Sequence, residues 1–594
     1  MQPAARMLQV SRRSAILDAA KKKWVVKAPD PASKHLASSL KISPLLAQLL
    51  INRGITDTTA ANTFLRPKLT DLIAPERMPG IEPAVRRIAT AIKQNQKITI
   101  YGDYDVDGIT GLAILWQLLS LLGAKVDFYI PHRVEEGYGL NEDAVRTLAQ
   151  AGTNLLITVD CGIGAFASAD AASQLGIDLI ITDHHQPDPQ LPKAVAVVHP
   201  ALDGSYQNQD SSGSMVAFKL AWAIANQFCK GQKLQPHLRE FMLNATSLAA
   251  MGTIADIVDL RGENRVLTSY GLKALPQCKL SGIQALIDSA GFTGEDLDSF
   301  RIGFHLAPML NAAGRLGHAR LAVELLTSDS SARSLQIAEY LKQQNDQRRQ
   351  LERKIFKQAC QRILEQNLHH PDRMTIVLAA DNWHTGVIGI VASRLVDRFN
   401  RPTIMINTAC ENGAAQGSGR SVEGFCLLTA VKACSHHLNS FGGHKAAAGI
   451  TICPDKIEQF AEDFEAYARQ NINHKDIDAK LHIDAEARLA EFTKPAVTEF
   501  QMLEPFGQGN PRPLFATNGV RLASPPKRVG AKGDHLQFAV TDNTNTIRCV
   551  GFGMGKLEKK LLDAEFFNIA YQPQINTFNG LSNVEFVLTD VRFD

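Results

Sequence analysis

The run Ile98-Thr99-Ile100-Tyr101-Gly102-Asp103-Tyr104-Asp105-Val106-Asp107-Gly108 constrains the fold more than any other stretch of these 594 residues. An apolar, strand-forming segment leads straight into three aspartates at alternate positions. Carboxylates so spaced cannot lie in a strand interior, because like charges would crowd where the fold needs burial. A divalent cation beyond the strand end removes that conflict. Asp183-His184-His185 adds imidazoles after a second apolar run. Hard oxygens with imidazole suit Mn2+ or Mg2+, whereas a structural zinc would favour thiolates, and no cysteine lies beside either piece at ligand spacing. The two segments read together as a metal centre of hydrolytic type.

From Lys97 onward, apolar runs alternate with amphipathic ones. Strands are expected at Ile98–Tyr101, Val126–Ile130, Asn154–Val159, Asp178–Thr182 and Ala194–Val198. Helices are expected at Leu112–Leu122, Glu142–Ala151, Ala165–Leu175 and Ser214–Gln227, which makes a doubly wound parallel sheet. Asp103, Asp105, Asp107, Asp160 and Asp183 then fall beyond the carboxyl ends of strands, where open α/β sheets gather ligands. Ala332–Gln366 has no glycine or proline and reads as a long polar helix. A second α/β unit follows, with strands at Met374–Ala379 and Thr403–Ile406, a helix at Val387–Arg398 and a glycine-rich stretch from Gly413 to Gly449. After the run Glu504 to Pro511, five alternating strands at Gly519–Ala523, Leu536–Thr541, Thr546–Phe552, Phe566–Gln572 and Val584–Val591 predict a small OB-like β-barrel. The fold class is α/β: two α/β domains joined by a long helix, plus a C-terminal barrel. The expected divisions are an N-terminal extension and small helical region at 1–75, a catalytic domain at 76–317, a helical linker at 318–370, a second α/β domain at 371–470 and the barrel at 471–594.

Bulk properties narrow the setting. A net charge of +3 does not by itself argue for nucleic acid, so any basic surface is local. Nine cysteines with no C-x-x-C pair indicate neither a disulfide framework nor a zinc ribbon and fit a reducing compartment. The longest apolar stretch, Gly111–Ala124, is interrupted by Gln117 and Ser120 and falls short of the ~20 residues that span a bilayer. Residues 1–23 are basic with a single acid, Asp18, and read as a disordered start, with an organellar transit peptide as the alternative.

Five landmarks occur in order: Gly-Asp-Tyr-Asp-Val-Asp-Gly at 102–108, Thr-Val-Asp-Cys-Gly at 158–162, Asp-His-His at 183–185, Gly-Thr-Ile-Ala-Asp at 252–256 and Gly-Gly-His at 442–444. With them the chain resembles the DHH phosphoesterase family, and within it the bacterial single-strand-specific exonucleases. Further stretches carry the narrower resemblance: Pro131-His132-Arg133 with Glu136-Gly137-Tyr138-Gly139, Asn311 to Arg315, Trp383 to Val387 and Gly417 to Arg420. The resemblance implies DHH-type and DHHA1-type domains and 5′-to-3′ degradation of single-stranded DNA to mononucleotides in repair and recombination. It also implies two divalent cations, Mn2+ or Mg2+, held by Asp105, Asp107, Asp160, His184 and Asp256, with Asp103 beside them and Asp160 as the bridge. His185 would support a ligand or donate a proton. Ser418 and Arg420, in a glycine-rich loop, would recognise a terminal phosphate with help from Arg133, Arg315 and His444, while Tyr138 would stack on a base. A bacterial cytoplasmic location follows, with a single-strand-binding protein and a helicase as possible partners and no membrane. The alternatives are a DHH oligoribonuclease or cyclic-dinucleotide phosphodiesterase, which would not need the barrel, and a scaffold that has lost its ligands.

Structural roles compete at several positions. Asp103 could cap the following helix, Asp183 could orient a histidine, and Asp256 could be a surface acid. Arg315 and Arg420 could form interdomain ion pairs, and Tyr138 could simply pack. His384 could cap a helix beside a buried Trp383. The bases of the long helix, Arg348, Arg349, Arg353, Lys354 and Lys357, read as a solvated face, and Lys527, Arg528 and Lys532, expected in a barrel loop, could track a nucleic-acid backbone or form a solvated turn.

Overall fold

The computed structural model describes residues 22–132, 136–137, 139–229, 233–315, 318–409, 413–472, 479–578 and 580–593. Arg133, Tyr138 and most of the basic start fall outside this set, as does the side chain of Arg315. The chain forms two compact units: Val26–Gln343 with Ile483–Asp594, and Gln344–His482 with the N-terminal segment.

The first unit is built on a five-stranded parallel sheet in the order Lys125–Tyr129, Lys97–Gly102, Leu155–Val159, Asp178–Thr182, Ala196–Val198. Its strands are apolar on both faces, as a sheet covered on both sides requires. Ile98, Ile100, Leu155, Ile157 and Ile180 point into one core, shared with helices Ile81–Lys93, Val106–Leu121 and Gly213–Phe228. Tyr101, Leu156, Leu179 and Ile181 point into the opposite core, shared with Glu142–Gln150 and Phe166–Gln174. The period-2 alternation of a strand thus assigns each side chain to a layer. All three aspartate-bearing strand ends emerge at the same edge.

The same unit contains the barrel. Strands Phe515–Val529, His535–Thr541, Thr546–Gly551, Leu581–Arg592 and Phe567–Phe578 pair in that order, and the first and last pair again to close it. The Pro525-Pro526 step lies where the register shifts between Ser524 and Lys527, a bulge that spares the ladder the missing N–H groups. Lys527 and Arg528 therefore lie on a strand rather than in a loop, and Arg528 pairs with Glu558 at 2.6 Å. The N-terminal helices Ala32–Leu40, Pro44–Asn52 and Thr58–Leu65 share one core with the barrel residues Phe492, Phe515, Tyr571 and Phe586. Nothing in the sequence pattern announced that union. The buried Arg265 of the α/β domain joins all three parts. Its guanidinium donates to the carbonyls of Phe64 at 2.8 Å, Leu503 at 2.8 Å and Met502 at 3.0 Å, and lies 3.8 Å from the Phe64 ring centroid.

The polar helix runs from Ser331 to Glu365. In the second unit, the strands are ordered Leu438–Gly443, Ala447–Ile452, Ala415–Arg420, Thr403–Asn407, Ile376–Ala380. The glycine-rich stretch therefore contributes strands to the sheet, and Ser418 and Arg420 lie on one of them, which corrects the expectation of a loop. The reason is close packing. A Cβ at Gly417 would come within 2.7 Å of Ile450, and one at Gly419 within 3.0 Å of Ile404 and Leu427. Glycine here lets apolar neighbours approach one face while Ser418 and Arg420 occupy the other.

Candidate metal centre and phosphate-binding edge

Each carboxylate of the cluster is placed by a strand end or a helix end. Asp105 is the N-cap of Val106–Leu121, accepting from the N–H groups of Asp107 at 3.0 Å and Gly108 at 3.2 Å. The cap is thus Asp105 and not Asp103, because the strand continues to Gly102 and the chain needs Asp103 and Tyr104 to turn. Asp107 accepts from Gly213 N at 2.5 Å and Ser214 N at 3.0 Å, at the start of Gly213–Phe228. That helix end steadies the buried anion through its unpaired N–H groups. Asp160 follows Leu155–Val159 with φ +62°, a left-handed conformation that costs about 1–3 kcal/mol in a residue with a Cβ and recurs at functional sites. Asp256 terminates helix Pro236–Ala255.

These groups converge. One ligand atom from each of Asp103, Asp105 and Asp160 lies within 4.8 Å of the others, and the same holds for Asp107, His184 and Asp256. His184 Nε2 is 3.1 Å from Asp160 Oδ1, 3.6 Å from Asp256 Oδ2 and 3.9 Å from Asp107 Oδ2. Its Nε2 is buried and has no hydrogen-bond partner, an arrangement that leaves that nitrogen available as a donor to a cation. Two glycines make room. A Cβ at Gly213 would sit 2.6 Å from Asp160 Cβ, and one at Gly252 would sit 2.2 Å from Ser214 Oγ and 2.6 Å from Asp107 Oδ1.

The electrostatics point the same way. Burial and the charges of Asp107, Asp105, Asp103 and Asp256 push Asp160 well above the ordinary carboxylate range. Burial with Asp107 and Asp105 pushes Asp256 up to about 9. Burial also lowers His184 and so favours its neutral imidazole. Carboxylates pressed together in a dry site resist sharing negative charge, and the donor set fits a pair of hard divalent cations.

His185 behaves differently. Its Nδ1 lies 2.7 Å from Asp183 Oδ1, and Asp183 also accepts from Ile163 N at 2.9 Å and His184 N at 2.7 Å. Burial opposes charge on His185, but Asp183 outweighs it and raises its pKa. Burial alone would raise Asp183 too, yet its hydrogen bonds with His185 and the backbone hold it at about 2. Asp183 therefore orients a histidine, and His185 Nδ1 stands 4.0 Å from Asp160 Oδ1.

In the second unit, Arg420 Nη1 donates to Ser418 Oγ at 3.1 Å and to the Gly419 carbonyl at 2.8 Å. Both side chains face the first turns of helix Thr385–Phe399, where a Cβ at Gly389 would meet Ser418 Oγ at 2.8 Å and Arg420 Nη2 at 3.0 Å. His384 caps that helix, its Nδ1 3.1 Å from Gly386 N, and Trp383 is buried. His444, exposed in the hairpin between Gly443 and Ala447, lies at the Arg420 end of the sheet through the Ala447–Arg420 pairing.

Known proteins align with this architecture. Residues 97–246 match the DHH family N-terminal domain, 373–470 the DHHA1 domain and 483–590 the RecJ OB domain. The single-stranded-DNA-specific exonuclease RecJ of Bacillus subtilis is 37% identical over 574 residues, covering 96% of this chain and 71% of its own. The chain belongs to the RecJ family. RecJ of Escherichia coli is 30% identical over 590 residues, covering 93% of this chain and 96% of its own. The crystal structure of Thermus thermophilus RecJ in complex with Mn2+ superimposes with a TM-score of 0.82 at 30% identity, over 96% of this chain and 80% of that one. A second RecJ-family structure, bound to manganese, covers 68% of this chain at 34% identity with a TM-score of 0.59.

Proposed function

We propose that this protein is a metal-dependent exonuclease that degrades single-stranded DNA from its 5′ end to mononucleotides. The convergence of His184 and the buried aspartates carries the reading. Asp103, Asp105, Asp107, Asp160, His184 and Asp256 would hold two divalent cations, Mn2+ or Mg2+, with Asp160 between them. Such a pair supplies an activated water and charge stabilisation for both the attacking and the departing oxygen. The helix ends at Asp105 and Asp107 fix those carboxylates in place through backbone N–H groups. His185, oriented by Asp183, which favours its protonated form, would donate a proton to the departing oxygen. In the second unit, Ser418, Arg420 and the start of helix Thr385–Phe399 offer hydroxyl, guanidinium and N–H donors to a terminal phosphate, with His444 at the same edge. Arg133, Arg315 and Tyr138 belong to the same proposal as strand contacts.

The barrel favours this reading over a DHH oligoribonuclease or cyclic-dinucleotide phosphodiesterase, and the complete acidic cluster argues against a silent scaffold. Free cysteines throughout the described residues and the absence among them of any helix long and apolar enough to cross a membrane fit work in a bacterial cytoplasm. A single-strand-binding protein or a helicase would deliver substrate there. Digestion of strands labelled at the 5′ or 3′ end tests the proposal. Immediate release of mononucleotide from the 5′ label with Mn2+, abolished by chelator, is expected. Initial release from the 3′ label, or preference for dinucleotides of RNA, would reject it.

A further inference from the structure

Phe300 and Phe304 are 53% and 64% exposed, and their rings stack on each other with centroids 4.7 Å apart at 27°. Apolar rings in that state have given up burial, and their position gives the reason. They lie on a continuous helical run whose central turn, Ile302–Leu306, is a π-helix. Such turns break the ordinary 3.6-residue register and are frequent at functional sites.

Contacts at three points along the run locate the pair. At the far end of the run, Asn311 Oδ1 accepts from Val106 N at 3.2 Å, beside Asp105. Seven residues separate Phe304 from Asn311, roughly 10 Å of helix. Alongside, a Cβ at Gly303 would lie 3.8 Å from Ile254, which is three residues before Ile257. Ile257 adjoins Asp256, is itself 69% exposed and has a φ of +63°. At the near end, the Ser299 hydroxyl donates to the Phe506 carbonyl, and Asp298 pairs with Arg512 at 3.0 Å, so the run begins against the leader of the barrel. The aromatic pair thus lies between the barrel and the carboxylate cluster, on the element that touches both.

Resting on the exonuclease reading, we propose that Phe300 and Phe304 form a stacking platform for bases of the single strand a few nucleotides downstream of the scissile phosphate. Base stacking on aromatic rings is indifferent to sequence, as an exonuclease that advances through any strand requires. Two rings and one isoleucine are far less than the roughly 1,200 Å² that a stable protein interface buries, which favours bases over a protein partner. Ile257 would close the edge of the platform beside Asp256.

The test measures binding of a 5′-phosphorylated oligonucleotide in chelator by fluorescence anisotropy, with intact strands and with strands carrying two adjacent abasic residues stepped along the first ten positions. Because both rings are exposed, the F300A/F304A variant folds, which circular dichroism verifies. That variant should bind intact strands roughly 10-fold or more weakly. Wild-type protein should lose a similar factor at one abasic position, and the variant should be indifferent there. Phe304→Trp, which keeps an aromatic ring there, should bind intact strands with wild-type affinity. Wild-type affinity in F300A/F304A, or equal sensitivity of both proteins to every abasic step, would overturn the platform. The exonuclease reading is judged separately, by mononucleotide release from the intact 5′-labelled strand by wild-type protein with Mn2+.

Discussion

Single side chains and single glycines set the chemistry of the cluster. Gly252 has no catalytic atom, yet a methyl group there would press on Ser214 Oγ, Thr110 Oγ1 and Asp107 Oδ1 at 2.2, 2.5 and 2.6 Å. Gly252→Ala should retain the folded circular dichroism spectrum while lowering kcat by about 100-fold, since displacements near 1 Å cost that much. Full turnover by the variant would show that Asp107 tolerates movement. The raised pKa of Asp256, about 9, has a consequence for metal binding. Below that pH the carboxyl retains its proton in the metal-free protein, so a cation must displace it. Mn2+ binding at pH 7.5 should therefore release protons, and apparent affinity should rise from pH 6.5 to 8.5. Calorimetry in buffers of different ionisation enthalpy reads both, and buffer-independent heats would contradict the assignment. At this scale the acids and His184 were legible, because carboxylates after apolar strands have few alternatives. The choice of Asp105 as the cap was not, since alternating aspartates offer two equivalent positions. Phe300 and Phe304 were also hidden, because a π-turn removes the periodicity by which an exposed face is recognised.

Elements were legible in proportion to their pattern. The strands of the parallel sheet are continuous apolar runs bounded by polar turns, and the expected positions agree with the observed ones to within two residues at every end. The strand Ala415–Arg420 defeated the same reasoning. Its composition, Ala-Gln-Gly-Ser-Gly-Arg, is that of a loop, and pairing with Thr403–Asn407 and Ala447–Ile452 makes it sheet, with Gly417 and Gly419 leaving room for isoleucine and leucine side chains. That strand gives Arg420 a fixed direction toward helix Thr385–Phe399, as a phosphate contact requires. Arg420→Ala should reduce the rate on 5′-phosphorylated ends roughly 10-fold or more while leaving affinity for circular single strands near that of wild type. Equal loss on both substrates would remove the terminal-phosphate role.

At the scale of the molecule, the barrel, the N-terminal helices and the catalytic α/β domain form one compact unit. Arg265 shows why. Three carbonyls from the N-terminal helices and the barrel leader depend on one buried guanidinium. Arg265→Met should leave those acceptors unsatisfied and destabilise the protein by roughly 3 kcal/mol, seen as a lower urea midpoint. An unchanged midpoint would mean that the three parts are held by apolar packing alone. No periodicity in the sequence reveals such a joint, because it depends on one arginine meeting backbone atoms some 200 residues away. The order of the parts was legible in the landmarks, and their shared cores were not. The account as a whole stands on two cations held by the acidic cluster. Counting Mn2+ bound per chain by electron paramagnetic resonance, beside hydrolysis and strand binding, tests it most directly. Wild-type protein should bind two ions, and Asp160→Asn should lose tight binding and cleavage while still binding single strands. An Asp160→Asn protein that binds two ions and cuts at the wild-type rate would contradict it.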